Sequence, residues 1–584
     1  MHRQARTSRR RSLTARLLAL AVATTSVVIA IPAMPASAAV IAGATKYVPI
    51  EPTRIARNFT SGSSAPFGYT TVSSTTMRVK VTDRTGVPAD AIAAVVNITA
   101  ISNVGAGFVS VYPSASTRPN SSNLNLDKTG RRLANLAHVR LGTDGAFDLY
   151  SSKAFQLIVD LVGVYVPVTD TVSEGRFVAR PGGAIRALDT RQAAGSATNP
   201  DGIGRFAAGT TASVDLAPFG VPNDASAVVI GLTAVNANLG YWTTYATGTA
   251  RPGTSSQNID TPLQTRAAQA IVALTTGQAS IDVYAHGGGD LIIDVVGWYT
   301  GAGGPRSQDG LFLPRAPSRR LDTRQIRSLA PWGGSTYEFT IPNPPSCTNC
   351  LAAAVLNVTA TQPWTNGYVT AYPAGQTRPS PFSTLNINSW PQTIANHAIT
   401  GITSRGGAVY TLGGAHLIVD LAGVFLGTPL AATYPKPANP NYVSNLATRV
   451  YSSQVPVNVG IRTGSNLDYI ADQGYAAGWT GLTNVATRGN VMLFGHRTAS
   501  GAPFRYLDQF DVNEKFVIVG TDGKRYEYLV MDKRVVRPDY STILQIASGF
   551  GPVTAQLVAC SRADGTPTSL SYRIVITGRL VRVF

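Results

Sequence analysis

The chain is short of charge. Only 14% of its 584 residues are Asp, Glu, Lys or Arg, against roughly 25% in ordinary soluble domains, while Gly, Thr, Ser and Val abound, a composition that favours β-structure in an extracellular protein. Cysteine is scarcer still, with three residues at 347, 350 and 560. A metal site built on Cys347-Thr348-Asn349-Cys350 would need a second ligand pair, and none is visible. In an oxidising compartment Cys347 and Cys350 can instead close a local disulfide, which leaves Cys560 without a partner. Long apolar runs are missing beyond the N-terminus, and no stretch carries a convincing helical period.

The N-terminus itself supplies a destination. Arg3, Arg6, Arg9, Arg10, Arg11 and Arg16 precede an uncharged run from Leu17 to Ile31, followed by Pro32, Pro35 and the small residues Ala36-Ser37-Ala38. Residues 1–38 therefore read as a secretory signal peptide cleaved before Ala39, the alternative being an uncleaved membrane anchor. Localisation is expected to be outside the membrane, either secreted or associated with the cell wall. Cleavage removes six arginines and no acid, lowering the net charge from +18 to +12. A basic surface in that compartment favours anionic wall polymers or lipid head groups. Nucleic acid is excluded as a partner, because the compartment is wrong and no recognition module is present.

Length suggests about four domains at roughly 150 residues each. Self-comparison finds one unit written three times. Thr99, Thr233 and Thr359 each stand 61 residues before the aspartate of Leu157-Ile158-Val159-Asp160-Leu161, Leu291-Ile292-Ile293-Asp294-Val295 and Leu417-Ile418-Val419-Asp420-Leu421. Arg118-Pro119, Arg251-Pro252 and Arg378-Pro379 recur between these anchors. Leu188-Asp189-Thr190-Arg191 and Leu321-Asp322-Thr323-Arg324 open the second and third units, decayed to Arg54-Ile55-Ala56-Arg57 in the first. Short Val/Ile/Thr/Tyr runs broken every eight to twelve residues by turn formers predict antiparallel strands. The expected fold is all-β, with three tandem β-sandwich-like repeat domains standing in a row at 45–167, 176–300 and 311–427.

Within the repeats, Asp160, Asp294 and Asp420 are expected to pair with a repeat arginine or a turn rather than to bind calcium or sugar, since no second acid recurs at ligand spacing. Tyr241, Trp242, Trp298 and Trp364 do not recur at matched positions, which favours core packing over sugar stacking. His138, His286, His397 and His416 read as structural or surface residues, and Asn97-Ile98-Thr99 as part of a strand rather than a glycan acceptor.

The repeat pattern stops at Gly427, and a Pro-rich linker occupies 428–441. Residues 442–584 form a different block with one cysteine and one histidine. A thiol that attacks an acyl group needs a nearby base or cation and a donor for the developing oxyanion. His496 follows an apolar run, Cys560 ends another, and Arg573 opens the next. Gly495-His496-Arg497-Thr498 with Pro503-Phe504-Arg505-Tyr506-Leu507, then Leu557-Val558-Ala559-Cys560, then Tyr572-Arg573-Ile574-Val575, resemble in order the histidine loop, the Thr-Leu-x-Thr-Cys strand and the arginine strand of sortases. The block is most similar to the actinobacterial class E or F enzymes. The repeats resemble modules of actinobacterial surface proteins.

The resemblance implies an eight-stranded β-barrel acting as a cysteine transpeptidase, with Cys560 as nucleophile, His496 as acid and base and Arg573 as oxyanion stabiliser. It implies a substrate protein bearing a Leu-Pro-x-Thr-Gly or Leu-Ala-x-Thr-Gly signal, and a wall-precursor or other amine as acceptor. Ala559, Leu557 and Arg497 are expected at the substrate. Gln556 and Ala559 depart from the family threonines, and loss of the hydroxyl beside the nucleophile is expected to weaken substrate or oxyanion binding. No metal and no cofactor are expected. The repeats are expected to bind anionic wall polysaccharide or to act as spacers. The rival reading is a non-catalytic wall-binding or structural protein with a degenerate sortase domain. A papain-like hydrolase fits less well, since such enzymes place Cys before His.

Overall fold

The computed structural model describes residues 40–584 apart from 327–330, 332–333, 364–365, 389–391, 435–445, 465, 480–484, 486–488, 539–542, 544–552 and 568. The signal segment, Trp364 and most of the Pro-rich linker lie outside the described residues. Strands dominate everything that is described, and no helix in it is long and apolar enough to cross a membrane.

The apolar runs of the repeats lack the alternation of a half-exposed strand, and the structure supplies the reason. Ala93–Ile101, Ala227–Ala237 and Leu351–Thr361 lie in inner sheets buried on both faces, the situation that yields near-continuous hydrophobic sequence. One face packs into a private core: Ala94, Val96 and Ile98 in the first repeat, Val228, Ile230 and Leu232 in the second, Ala354, Leu356 and Val358 in the third. An outer sheet covers each of these cores, with strands such as Thr76–Lys80 and Ser280–Ala285 that do alternate. The other face of every inner sheet meets the other two repeats in one common core, built from Val95, Val229, Val355 and their neighbours.

That common core changes the expected arrangement. The three sandwiches are not beads in a row but close on one another around six aromatic rings. Each repeat contributes a directly opposed pair: Tyr47 with Tyr165, Phe177 with Tyr299, and Phe312 with Phe425. The glycine three residues after each aspartate, in the same strand, makes room for this. A Cβ on Gly163 would sit 2.2 Å from Tyr47, on Gly297 2.7 Å from Phe177, and on Gly423 2.2 Å from Phe312.

Contacts between repeats run in cyclic order. Arg54 lies opposite Asp160, Arg186 opposite Asp294, and Arg319 opposite Asp420, and each pair forms two hydrogen bonds of 2.8–3.3 Å. The same guanidinium then reaches the next repeat, Arg54 to the Gly253 carbonyl, Arg186 to Pro381 and Arg319 to Asn120. Burial pushes the three carboxyls up from their ordinary range while the arginines oppose it, so these aspartates act as structural anchors; in the second and third repeats a second acid, Asp189 or Asp322, bonds the same arginine. Asn97 and Asn357 add amide bonds to Ser255 and Ser122 across two junctions. At the third junction the matching residue is Gly231, and the Phe382 ring occupies the space, 2.9 Å from where a Cβ would be.

The remaining repeat residues are also absorbed by packing. Trp242 is 1% exposed and meets Phe206 edge-on. His138 and His397 bond to each other in the centre, His416 bonds to Thr323, and His286 stacks on Tyr241. Cys347 and Cys350 form a disulfide.

The C-terminal strands close into a barrel in the order Ala447–Tyr451, Asn458–Gly464, Ala476–Trp479, Gly489–Phe494, Val553–Ser561, Tyr572–Val583, Arg525–Val536 and Lys515–Gly520. Its interior holds Val491, Leu493, Ala555, Leu557, Ala559, Ile574 and Ile576, alternate residues of three neighbouring strands. Phe504, Leu507 and Phe510, from the loop after Phe494, complete this core.

Candidate active site

Three adjacent strands bring the reactive residues together. Gly489–Phe494 runs parallel to Val553–Ser561, with Phe494 opposite Val558, and the Gly495 amide continues the ladder to the Val558 carbonyl at 3.1 Å. His496 and Cys560 therefore both stand two residues beyond that last pair, at the same end of neighbouring strands. On the other side Cys560 is paired directly with Arg573. Directly opposed residues share a sheet face, and neighbouring strands lie about 4.8 Å apart.

The face is the outer one. Because side chains alternate, Cys560 falls with Val558 and opposite to Leu557 and Ala559. Met492, Val558 and Val575, joined by Ile543, Phe494 and Val536, make an apolar strip on that outer face below the thiol. Cys560, His496 and Arg573 are all partly exposed at its upper end, and Cys560 is the one free thiol. Gly495 is needed at the turn into the histidine loop, because a Cβ there would lie 2.7 Å from the Phe504 ring. The Phe504 amide donates to the His496 carbonyl at 3.0 Å and closes that loop.

Each side chain has a definite environment. His496 Nε2 bonds the Asp472 carboxylate at 2.9 Å. Arg573 Nη1 donates to the Leu570 and Tyr572 carbonyls, 2.9 Å each, which holds the guanidinium at the strand entrance. Arg497 behaves differently. Its guanidinium is 1% exposed and donates to the Gly565 carbonyl at 2.7 Å, to Arg505 and to Asp508. Burial pulls its pKa down, opposed first by Asp508 and in smaller measure by the nearby Cys560.

Three expectations about the substrate contacts need correction. Leu557 and Ala559 point into the barrel core at 0% and 3% exposure, so their side chains face away from the thiol. Arg497 spends its donors on its own loops and ties the histidine loop to the turn between Cys560 and Arg573. Gln556 differs: it is buried, but it lies on the outer face with Met492 and Val558. Its amide donates to the Ile543 carbonyl at 2.7 Å and to Thr577 at 3.3 Å, and accepts from Asn490 at 2.6 Å, so this buried glutamine anchors residue 543 over the outer face. Only the departure at Ala559 faces away from the thiol.

Asp472 was not singled out by sequence. It closes the short helix Leu467–Asp472, whose Asn466 cap accepts from the Tyr469 amide. The Asn-x-x-Tyr start before an apolar pair is the signal that marks this helix.

Comparison with known proteins bears on this barrel alone. Residues 450–581 match the family model described as a sortase domain. Among solved structures the chain is similar to sortase E1 from Streptomyces coelicolor, at 22% identity over 24% of this chain and 90% of that one, TM-score 0.21. It is also similar to the SrtA sortase of Actinomyces oris, at 18% identity over 24% and 81%, TM-score 0.22. A third is sortase C1 of Streptococcus agalactiae, at 20% identity over 24% and 69%, TM-score 0.20. No curated protein matches the chain.

Proposed function

We propose that this chain, whose residues 450–581 form a sortase domain, is a cell-surface cysteine transpeptidase that cleaves a Leu-Pro-x-Thr-Gly-like or Leu-Ala-x-Thr-Gly-like sorting signal and passes the acyl group to an amine. The observation that carries the reading is the register. His496 and Cys560 leave parallel neighbours at one end, and Arg573 faces Cys560 across the next ladder.

The chemistry follows from those positions. The Cys560 thiolate attacks the Thr carbonyl carbon of the Thr-Gly bond, forming the C–S bond and a tetrahedral oxyanion. Arg573, paired across the ladder with Cys560 and with its Nη1 held by two carbonyls, donates to that oxygen. Collapse breaks the C–N bond, and protonated His496 gives its proton to the leaving glycine amine. An incoming amine then attacks the thioester while His496 takes its proton, and the thiolate is released. Arg497, buried behind this cluster, ties the histidine loop to the turn between Cys560 and Arg573. The apolar strip from Met492 to Val575 suits an aliphatic residue upstream of the scissile bond. The repeats serve as wall-binding or spacer modules, with anionic wall polymers as their partner.

Cys560→Ala in the full chain is the deciding variant. Wild type incubated with a panel of pentapeptide-containing substrates accumulates a thioester detectable by mass and is alkylated by iodoacetamide at Cys560, and the variant does neither. Signal cleavage that persists in Cys560→Ala would remove the enzyme reading and favour a binding protein with an inert barrel.

A further inference from the structure

We propose that Asp472 is a positioning residue for His496, holding the imbalance of its two ring nitrogens so that Nε2 carries the proton and Nδ1 is left for the reacting groups; this rests on the transpeptidase reading above. A carboxylate accepts and does not donate, so the 2.9 Å contact between Asp472 Oδ1 and His496 Nε2 requires N–H at Nε2. The other nitrogen keeps its lone pair in the neutral ring. One imidazole face is thereby assigned to orientation and the other to proton transfer, the division of labour that a base and its orienting group need.

An exposed ion pair is ordinarily weak, because two long side chains must be ordered to make it. Asp472 is 67% exposed and His496 27%, yet neither partner hangs from a free segment. The residues just before Asp472, Ile470 and Ala471, are buried against Ala477 with Phe494 packed beside them, and Phe494 is two residues from the histidine. Just after it, Gly474 adopts φ +80°, and a Cβ there would stand 3.0 Å from the Ser500 carbonyl oxygen of the histidine loop. The helix end and the histidine loop are thus docked on both sides of the contact, and much of the ordering cost is met by the core. Asp472 also stands at the helix C-terminus, where the partial negative charge of the backbone disfavours an acid, and no basic residue occupies that last turn. The placement does nothing for the helix and is explained by the imidazole it meets.

The test compares wild type with Asp472→Ala, Asp472→Asn and Asp472→Glu in the full-length protein, by steady-state kinetics on a sorting-signal peptide and by proton NMR of the His496 ring. Asp472→Ala should lower kcat about five- to tenfold with KM little changed, as expected for an oriented proton donor set loose, and should abolish the Nε2–H resonance that wild type shows and His496→Ala lacks. Asp472→Asn, which still accepts through its amide oxygen, and Asp472→Glu should each recover part of kcat. Wild-type kcat in Asp472→Ala, or an Nε2–H resonance that survives it, overturns the proposal. The ring resonance needs no substrate, so a wild-type protein that cleaves no signal peptide would sink the transpeptidase reading and leave the spectrum to decide this one.

Discussion

The repeat body and the barrel are both made of strands, but they set their charged and polar groups at different places along those strands. In the repeats the three matched pairs, Arg54–Asp160, Arg186–Asp294 and Arg319–Asp420, lie along strand interiors, and each arginine also donates to the neighbouring repeat. In the barrel the thiol, the imidazole and Arg573 stand at strand ends, partly open to solvent, with their reactive atoms facing outward. The same side-chain chemistry therefore serves cohesion where a strand is covered on both faces and, on the proposed transpeptidase reading, serves reaction where a ladder runs out. Charge alone does not distinguish the two; position along the strand does.

The sharpest way to break this contrast is to remove one carboxylate from the repeat body. Asp294→Ala should take from Arg186, whose side chain is 10% exposed, its two carboxylate hydrogen bonds and leave it Asp189 at 3.4 Å, and cost about 3 kcal/mol in denaturant unfolding, while peptide cleavage by the barrel stays at the wild-type rate. Loss of cleavage in parallel with unfolding would mean that the two regions are energetically coupled. A smaller effect should come from the junction filled by an aromatic ring. Gly231→Asn should collide with Phe382 and cost about 2 kcal/mol, and Phe382→Ser in the same chain should restore most of it by rebuilding the amide contact that Asn97 and Asn357 make. If the double variant is no better than the single one, the three junctions are not interchangeable.

The smallest expected effect is on pH dependence. His138 and His397 bond to each other at 2.9 Å, and His138 bonds the Tyr165 hydroxyl, which in turn meets Tyr299. Burial lowers His138 well below its ordinary value and takes His397 to about 3. A histidine kept neutral in the fold binds its proton only on unfolding, so its stabilising contribution is intact above about pH 6.5 and is lost progressively as pH falls towards 3. Between pH 6.5 and 5.5 that loss is about 1 kcal/mol for one such histidine. His397→Gln should flatten this acid limb in thermal melts recorded against pH. Glutamine is what the second repeat carries at the matching position, where Gln269 bonds both polar groups of the Ile399 backbone.

Much of this was legible in the residues. The spacing of Thr99, Thr233 and Thr359 to their aspartates is a register relation, and register survives in sequence because a one-residue slip would turn every side chain to the wrong face. The three strands that carry His496, Cys560 and Arg573 were equally readable, being apolar runs that end at a reactive residue. Ala447–Tyr451, Asn458–Gly464 and the helix before Asp472 were not, since their Ser, Asn, Thr and Gly content carries no strong period. The roles of Leu557 and Ala559 went astray because nearness to a nucleophile in sequence says nothing about which sheet face a residue takes until its partners are known.

By itself the sequence determined that strands would form, where each unit begins again, and that the C-terminal block possesses one thiol and one imidazole. These are local matters of turn chemistry, pattern and residue type. Tertiary structure alone decided that the three sandwiches share one aromatic centre, that Arg497 is enclosed while Arg573 is available, and that a carboxylate from a six-residue helix meets the imidazole. Such facts depend on contacts between elements distant along the chain, and a face is assigned only when something packs against it.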